Sequence, residues 1–254
     1  MFKSPVLANL YKTYGIDNLS YGKLADKLGD LYEEYMKPIF TSEDIWDKFN
    51  SQQMPTTIEE EVFYSTLKAY NIINIESVKV LSVPLRETGG PPKTDVHLLI
   101  NDKVNIKVSV KHSHARHVTV AEFDVNTIRD EAGITDERTV ALLKKHQRDA
   151  SATHFTPEEK MELKERLVLV KKDLVSWLLS GSPDKNSTDA RVANHTIMFK
   201  INKADHRLRD FSSYTIEEQV NKILKRSSGF GTGLSWTYAT GSKGKKIQFK
   251  CPVL

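Results

Sequence analysis

The chain has 254 residues, enough for one large domain or two small ones with a sizeable core, and its 39% hydrophobic and 28% charged residues exclude wholesale disorder. No apolar run is long enough to span a bilayer, and the start, MFKSPVLANLYKTYG, lacks the apolar core and cleavage site of a secretory signal. A single cysteine, Cys251, excludes a disulfide framework and a Cys-rich zinc site, so a cytoplasmic, membrane-free protein is expected, and a net charge of +4 leans only mildly toward polyanions.

The first third reads as helices. YGKLADKLGDLYEEYMKPIF carries Leu24, Leu28, Leu31, Tyr32 and Tyr35 at helical spacing and is predicted to end near Pro38. Thr41 is the predicted N-cap of a second helix, TSEDIWDKF, and Thr57 with Glu60 has the spacing of a capping box for a third. From Ile75 the period changes to two. IESVKVLSV reads as a strand, Pro84 to Pro92 as a Gly/Pro loop, and Asp95–Ile100 with Val104–Lys111 as a hairpin about Asn101, Asp102 and Lys103. On its second arm Val104, Ile106, Val108 and Val110 point one way, and Asn105, Lys107, Ser109 and Lys111 the other.

Helices are predicted to return over VAEFDVNTIRDEAG and TDERTVALLKKHQRD. The longest helix then opens at Thr156 as N-cap, with Pro157 and Glu159 behind it, and stops at Gly181. Its apolar stripe is Leu163, Leu167, Val170, Leu174 and Trp177. A polar surface loop over 181–194, a strand HTIMFKI, a capped helix TIEEQVNKILKR and a glycine-bearing ribbon over 229–250 complete the chain. No repeat or linker appears. The expectation is one α/β domain over 1–254 with a central mixed β-sheet flanked by helices: N-terminal helices over 1–74, a hairpin region over 75–111 and the C-terminal ribbon.

Metal-assisted phosphodiester cleavage needs a carboxylate to hold a cation, a further oxygen ligand, and a cation or base to handle the attacking water and the developing charge. If the hairpin arms pair antiparallel, Asp95 meets Lys111, Ser109 stands beside Lys111 on the same face, and the carbonyl of Val110 offers a second hard oxygen. This is the Asp…(Asp/Glu)-x-Lys layout of a large nuclease superfamily, with Ser109 at the position where that superfamily most often has a second acid. Alone, the pattern also fits a turn acid and a surface lysine.

Several segments together are more specific. GIDNL, KLGDLYEEY, GGPPKTD, VKHS, AEFDVNTI, KHQRDASATHFTP and GFGTGLSWTYATGSKGKKIQFK occur in order over nearly the whole chain. Together they resemble the MspI family of type II restriction endonucleases. The resemblance implies a restriction-endonuclease-like fold, Mg²⁺ as cofactor, double-stranded DNA as substrate at a short palindrome such as CCGG cut after the first C, and a cognate DNA methyltransferase that protects host sites. It carries the metal-binding aspartate onto Asp95 and the catalytic lysine onto Lys111. Ser109 stands where the family has a neutral Asn, and Glu33 where it has a glutamate on an early helix. For Glu33 a solvent-facing helix acid is the alternative reading. Lys111 would either position the water or neutralise phosphorane charge.

Sequence reading is expected in the C-terminal ribbon, because a two-stranded ribbon fits the major groove. The family's base-contacting positions fall on Thr237, Ala239, Thr240, Gln248 and Lys250, and on Thr119, placed in the turn after Lys111. No acidic residue follows Glu218, and Lys243, Lys245 and Lys246 are expected to touch phosphates. His112, His114, Arg116 and His117 read as phosphate contacts or solvated groups rather than a metal cluster, and GFGTG as a flexible turn. The rival readings are a DNA-binding protein with a decayed active site, motivated by Ser109, and the same nuclease scaffold with a different recognition site.

Overall fold

A computed structural model describes residues 4–18, 21–85, 92–184 and 186–253. The tip of the expected Gly/Pro loop, 86–91, lies outside the described residues, as does Leu19 of GIDNL. The chain divides into two compact units, Met1–Ala115 with Asp189–Thr215, and Arg116–Thr188 with Ile216–Leu254.

In the first unit α1 (Pro5–Thr13) starts on Ser4, whose hydroxyl accepts the Leu7 N–H at 2.9 Å. Helix α2 spans Tyr21–Thr41, α3 Glu43–Asn50 and α4 Ile58–Lys68. Helix α2 ends near Pro38 as expected, at Thr41, but Ser42 rather than Thr41 takes the N-cap position of α3. Pro38 forfeits one i→i−4 bond within α2, and the further turn buries Ile39 and Phe40. The Phe40 carbonyl left free at that end accepts the Trp46 indole N–H at 2.8 Å. The capping box at Thr57 and Glu60 forms as expected, and Lys48 closes on the buried Glu60 carboxylate at 2.6 Å.

The five-stranded sheet runs β1 (Val78–Leu81), β2 (Val96–Ile100), β3 (Val104–Ser113), β5 (His195–Ile201), β6 (Leu208–Thr215). All neighbours are antiparallel except β3 and β5, which makes the sheet mixed, as expected. The hairpin between β2 and β3 turns on Asn101 and Asp102, both at positive φ (50° and 52°), a conformation these two side chains tolerate better than most. Strand β6 was not expected. Its sequence, LRDFSSYT, alternates weakly, and the β5 pairing holds it as an edge. One face of the sheet packs Val96, Leu98, Ile106, Val108, Val110 and Phe199 into a core with α1, α2 and α4. The other face carries His97, Lys107, Ser109 and Thr196.

The second unit holds β4 (His117–Phe123), α5 (Val125–Glu131), α6 (Glu137–Asp149), α7 (Pro157–Leu167), α8 (Lys171–Ser180), α9 (Ile216–Leu224), β7 (Ser235–Thr237) and β8 (Ile247–Pro252). Two expectations are corrected. VAEF, read as the start of a helix, belongs to β4, and α5 starts only after Asp124, whose side chain caps Asn126 and Thr127. The pairing of β4 with β8, some 130 residues later, overrides the local period. The long helix expected from Thr156 to Gly181 is two helices, broken at 168–170 where Val168 and Leu169 are exposed. Valines at 168 and 170 weaken the helix there. The capping box at Thr156 and Glu159 and the stop at Gly181 (φ +88°) stand as expected. Among the described residues no helix is long and apolar enough to cross a membrane.

Burial raises the pKa of Glu60, but Lys48 and the N–H groups of Thr56 and Thr57 overrule it and hold the carboxyl at about 2, below its ordinary 4.5. A depressed carboxyl stabilises the fold fully above its unfolded pKa and loses that contribution as pH falls through the folded value. Glu60→Gln is therefore expected to lower unfolding stability at pH 7, with the gap to the parent narrowing between pH 4.5 and pH 2. Urea titrations at several pH values read this, and a gap that widens with acid refutes the assignment.

Candidate active site and nucleic-acid interface

Pairing of Val96 with Val108 fixes the hairpin register, and continuing it by one residue sets Asp95 across from Ser109. The Asp95 backbone N–H donates to Val108 O at 2.8 Å, which extends the ladder to the acid. Asp95 Oδ2 accepts the Val110 N–H at 2.7 Å, Lys111 Nζ at 3.2 Å and, more weakly, the Ser109 hydroxyl at 3.4 Å. Lys111 Nζ also donates to the Val110 carbonyl at 2.8 Å. One ammonium therefore bridges a carboxylate oxygen and a backbone carbonyl. Both side chains of the pair are mostly covered, Lys111 24% and Asp95 16% exposed.

Two hard oxygens already converge on one positive centre, which is the donor chemistry that a magnesium-like cation requires. Among the described residues no group of three or more His, Cys, Asp or Glu is placed to hold a metal. Any cation here would rest on Asp95, the Val110 carbonyl and water, with Glu33 near enough to be felt. Glu33, on α2, is half-buried. Burial first, and the Asp95 charge second, push its carboxyl up to about 7, against the pull of Lys111. That is not the behaviour of a freely solvated helix acid.

The histidines after Lys111 take up separate packing positions. His112 stacks on Tyr32 (centroids 6.0 Å) over Gly29 of α2, where a Cβ would stand 3.9 Å from its ring. Burial holds His112 neutral, at about 4. His114 pairs with His206 at 3.0 Å. His112 is packed, so the expectation of a solvated group is corrected for it.

The segment that delivers Asp95 has anchors that no sequence pattern pointed to. The N–H groups of Lys93 and Thr94 both donate to the carbonyl of Arg191, in the stretch read only as a polar surface loop. A buried lysine in the middle of a central strand, Lys107, was the available signal.

The expected reading residues lie in the second unit, on a three-stranded antiparallel sheet in the order β4-β8-β7 rather than on a two-stranded ribbon. Thr119 is on β4, not in a turn, and pairs with Lys250, which pairs in turn with Ser235. Gln248 stands between Glu122 and Thr237. Thr119, Thr237, Gln248 and Lys250 therefore share one face, while Ile247, Phe249 and Cys251 alternate into the core beneath. A register shift between Thr119 and Ala121 buries both Val120 and Ala121. Ala239, Thr240, Lys243, Lys245 and Lys246 lie on the loop between β7 and β8, with Lys243 Nζ 5.6 Å from the Tyr238 ring centroid.

Under this sheet Trp236 meets Phe249, Phe230 and buried His146 edge-on at 5.1 to 5.5 Å. GFGTG is the packed support of this cluster and not a flexible turn. Buried Thr232 donates to Gly229 O at 2.7 Å and accepts the Trp236 indole N–H at 3.1 Å. At Gly233 (φ +79°) a Cβ would fall 1.9 Å from Ile223 O.

The family described as Restriction endonuclease MspI matches residues 18–251. The type II restriction enzyme MspI of Moraxella sp is 34% identical over 262 aligned residues, covering 98% of this chain and 99% of that protein. The type II restriction enzyme BsuFI of Bacillus subtilis is 27% identical over 251, covering 92% of this chain and 61% of that one. The crystal structure of restriction endonuclease MspI in complex with its cognate DNA superposes with a TM-score of 0.85 at 34% identity, over 97% of this chain and 99% of that one.

Gly233→Ala is expected to cost more than about 1 kcal/mol, because the new Cβ meets backbone and its φ is foreign to alanine. Equilibrium urea unfolding measures this, and an unchanged midpoint would show that the turn under Trp236 yields freely.

Proposed function

The chain belongs to the MspI family of type II restriction endonucleases, and from that premise we propose that it cuts double-stranded DNA at CCGG or a closely related palindrome, after the first C, with Mg²⁺, residues 1–254 working as one endonuclease domain. The observation that carries the cutting chemistry is the Lys111 ammonium held between Asp95 Oδ2 and the Val110 carbonyl. A cognate DNA methyltransferase would protect the host's own sites, and the cytoplasm is where both would act.

Asp95 and the Val110 carbonyl are the residues to hold the metal. Bound there, Mg²⁺ would supply Lewis-acid polarisation and charge neutralisation at the scissile phosphate. Lys111 brings a fixed positive charge to the same point, where it either orients the attacking water or offsets charge developing on the phosphorane oxygens. Ser109 cannot replace a carboxylate as a ligand, but its hydroxyl can hold a water by accepting or donating. Glu33 supplies the second carboxyl that the hairpin lacks.

Thr119, Thr237, Gln248 and Lys250 present a flat polar face suited to base edges in the major groove. Gln pairs with adenine N6 and N7 or offers single contacts elsewhere, and Lys donates to guanine O6 and N7. Ala239 and Thr240 are short enough for close approach to a base. Lys243, Lys245 and Lys246 serve phosphates.

Asp95→Ala and Lys111→Ala are each expected to abolish cleavage of plasmid DNA while specific binding in gel retardation persists. Undiminished cutting by either variant sinks the assignment, and parent protein that retards DNA without ever cutting it favours the decayed module. Sequencing the ends of parental digests reports site and cut position together, and a site other than CCGG corrects the specificity alone. Lys246→Ala should reduce the slope of log K against log salt by about 0.9 with little change in preference. Gln248→Ala should instead lose about 1–3 kcal/mol of discrimination at one base pair. Competition binding over a set of single-base variants separates the two effects.

A further inference from the structure

Asp95 stands just outside β2, on a segment whose earlier part, 86–91, lies outside the described residues. One end of its support is the β3 ladder, through Val108 O. Another is the Arg191 carbonyl, which receives the N–H groups of Lys93 at 3.0 Å and Thr94 at 3.3 Å. What holds that carbonyl decides the angle at which Asp95 is presented.

Arg191 is held through Asp189. Asp189 Oδ1 accepts both its backbone N–H and its Nε at 2.9 Å, and Oδ2 accepts Nη2 at 2.8 Å. The Asp189 carbonyl in turn accepts the Val192 N–H at 3.1 Å and Lys107 Nζ at 2.9 Å. Lys107 is on β3, on the same side as Ser109 and Lys111, and only 4% exposed. Lysine is rarely buried to that degree without a specific partner, and its burial holds its pKa below the ordinary value. Its ammonium joins the strand bearing Lys111 to the turn that carries Arg191. That turn joins back to the residues immediately before Asp95. The loop closes on the two hairpin arms whose side chains meet at the Asp95 carboxylate.

We propose that Asp189, Arg191 and Lys107 form a positioning clamp for Asp95, setting the geometry in which its carboxylate meets a divalent cation. The proposal rests on the nuclease reading given above. Outer partners that orient a ligating carboxylate commonly govern metal affinity by 10–100-fold without touching the metal. A merely structural loop would govern folding stability alone.

The test uses the full chain and Mn²⁺ as the probe. Asp189→Ala removes the acceptor for three Arg191 donors, and Asp189→Asn keeps an oxygen for the backbone N–H while losing the charge. Electron paramagnetic resonance of free Mn²⁺ is expected to show binding weakened about tenfold in Asp189→Ala, with Asp189→Asn between it and the parent. The Mn²⁺ concentration for half-maximal cleavage should rise by the same factor, and cleavage at saturating metal should approach the parental rate. Hydrogen exchange should quicken at the Lys93 and Thr94 amides. A folded Asp189→Ala with parental Mn²⁺ affinity and half-saturation overturns the clamp, whatever its melting temperature, and Asp189→Asn carries the same test if the alanine variant does not fold. Parent protein that neither cuts DNA nor binds Mn²⁺ more tightly than Asp95→Ala overturns the nuclease reading and the clamp together.

Discussion

One carboxylate oxygen organises the end of the central hairpin. Asp95 Oδ2 takes a backbone N–H, a lysine ammonium and a serine hydroxyl from three successive residues of the neighbouring strand. A mostly covered ion pair of this kind returns little net stability, because desolvating both charges offsets most of their attraction. Its consequence is geometric. It fixes where one cationic centre stands between a carboxylate and a carbonyl.

The strand that makes this possible is apolar on one side and polar on the other. Ile106, Val108 and Val110 are buried against the N-terminal helices, and this anchors β3 firmly enough for the opposite side to carry Lys107, Ser109 and Lys111. The same core brings α2 against β3, through His112 on Tyr32 and the small Gly29 between them. Glu33 follows Tyr32 by one residue. Its raised pKa is therefore a by-product of packing that the cutting chemistry can use.

The reading surface follows the same logic in the second unit. Trp236, Phe230, Phe249 and His146 form a packed aromatic floor, and the alternation of β8 turns Gln248 and Lys250 to the other side. Glycines at 229 and 233 serve that floor, since a side chain at either would strike backbone within 2.0 Å. Close packing under a recognition face matters because base-edge hydrogen bonds discriminate only when donors and acceptors are already in place.

Several local elements were legible from the sequence alone. Capping boxes at Thr57 and Thr156, the stop at Gly181, the hairpin about Asn101 and Asp102, and the two-sided alternation of β3 are all set by neighbours within a few residues. The segments resembling the MspI family were equally plain in one dimension. Tertiary structure decided what depends on partners distant in the chain. Strand β4 exists because β8 pairs with it, β6 because β5 does, and α2 runs past Pro38 because Ile39 and Phe40 find a core. Thr119 meets Lys250, and Arg191 holds the residues before Asp95, across separations at which no periodicity in the sequence carries information. Local propensity is a preference of tenths of a kcal/mol per residue, while burial and strand pairing act over whole elements, so at β4, β6 and the end of α2 the long-range contacts prevailed.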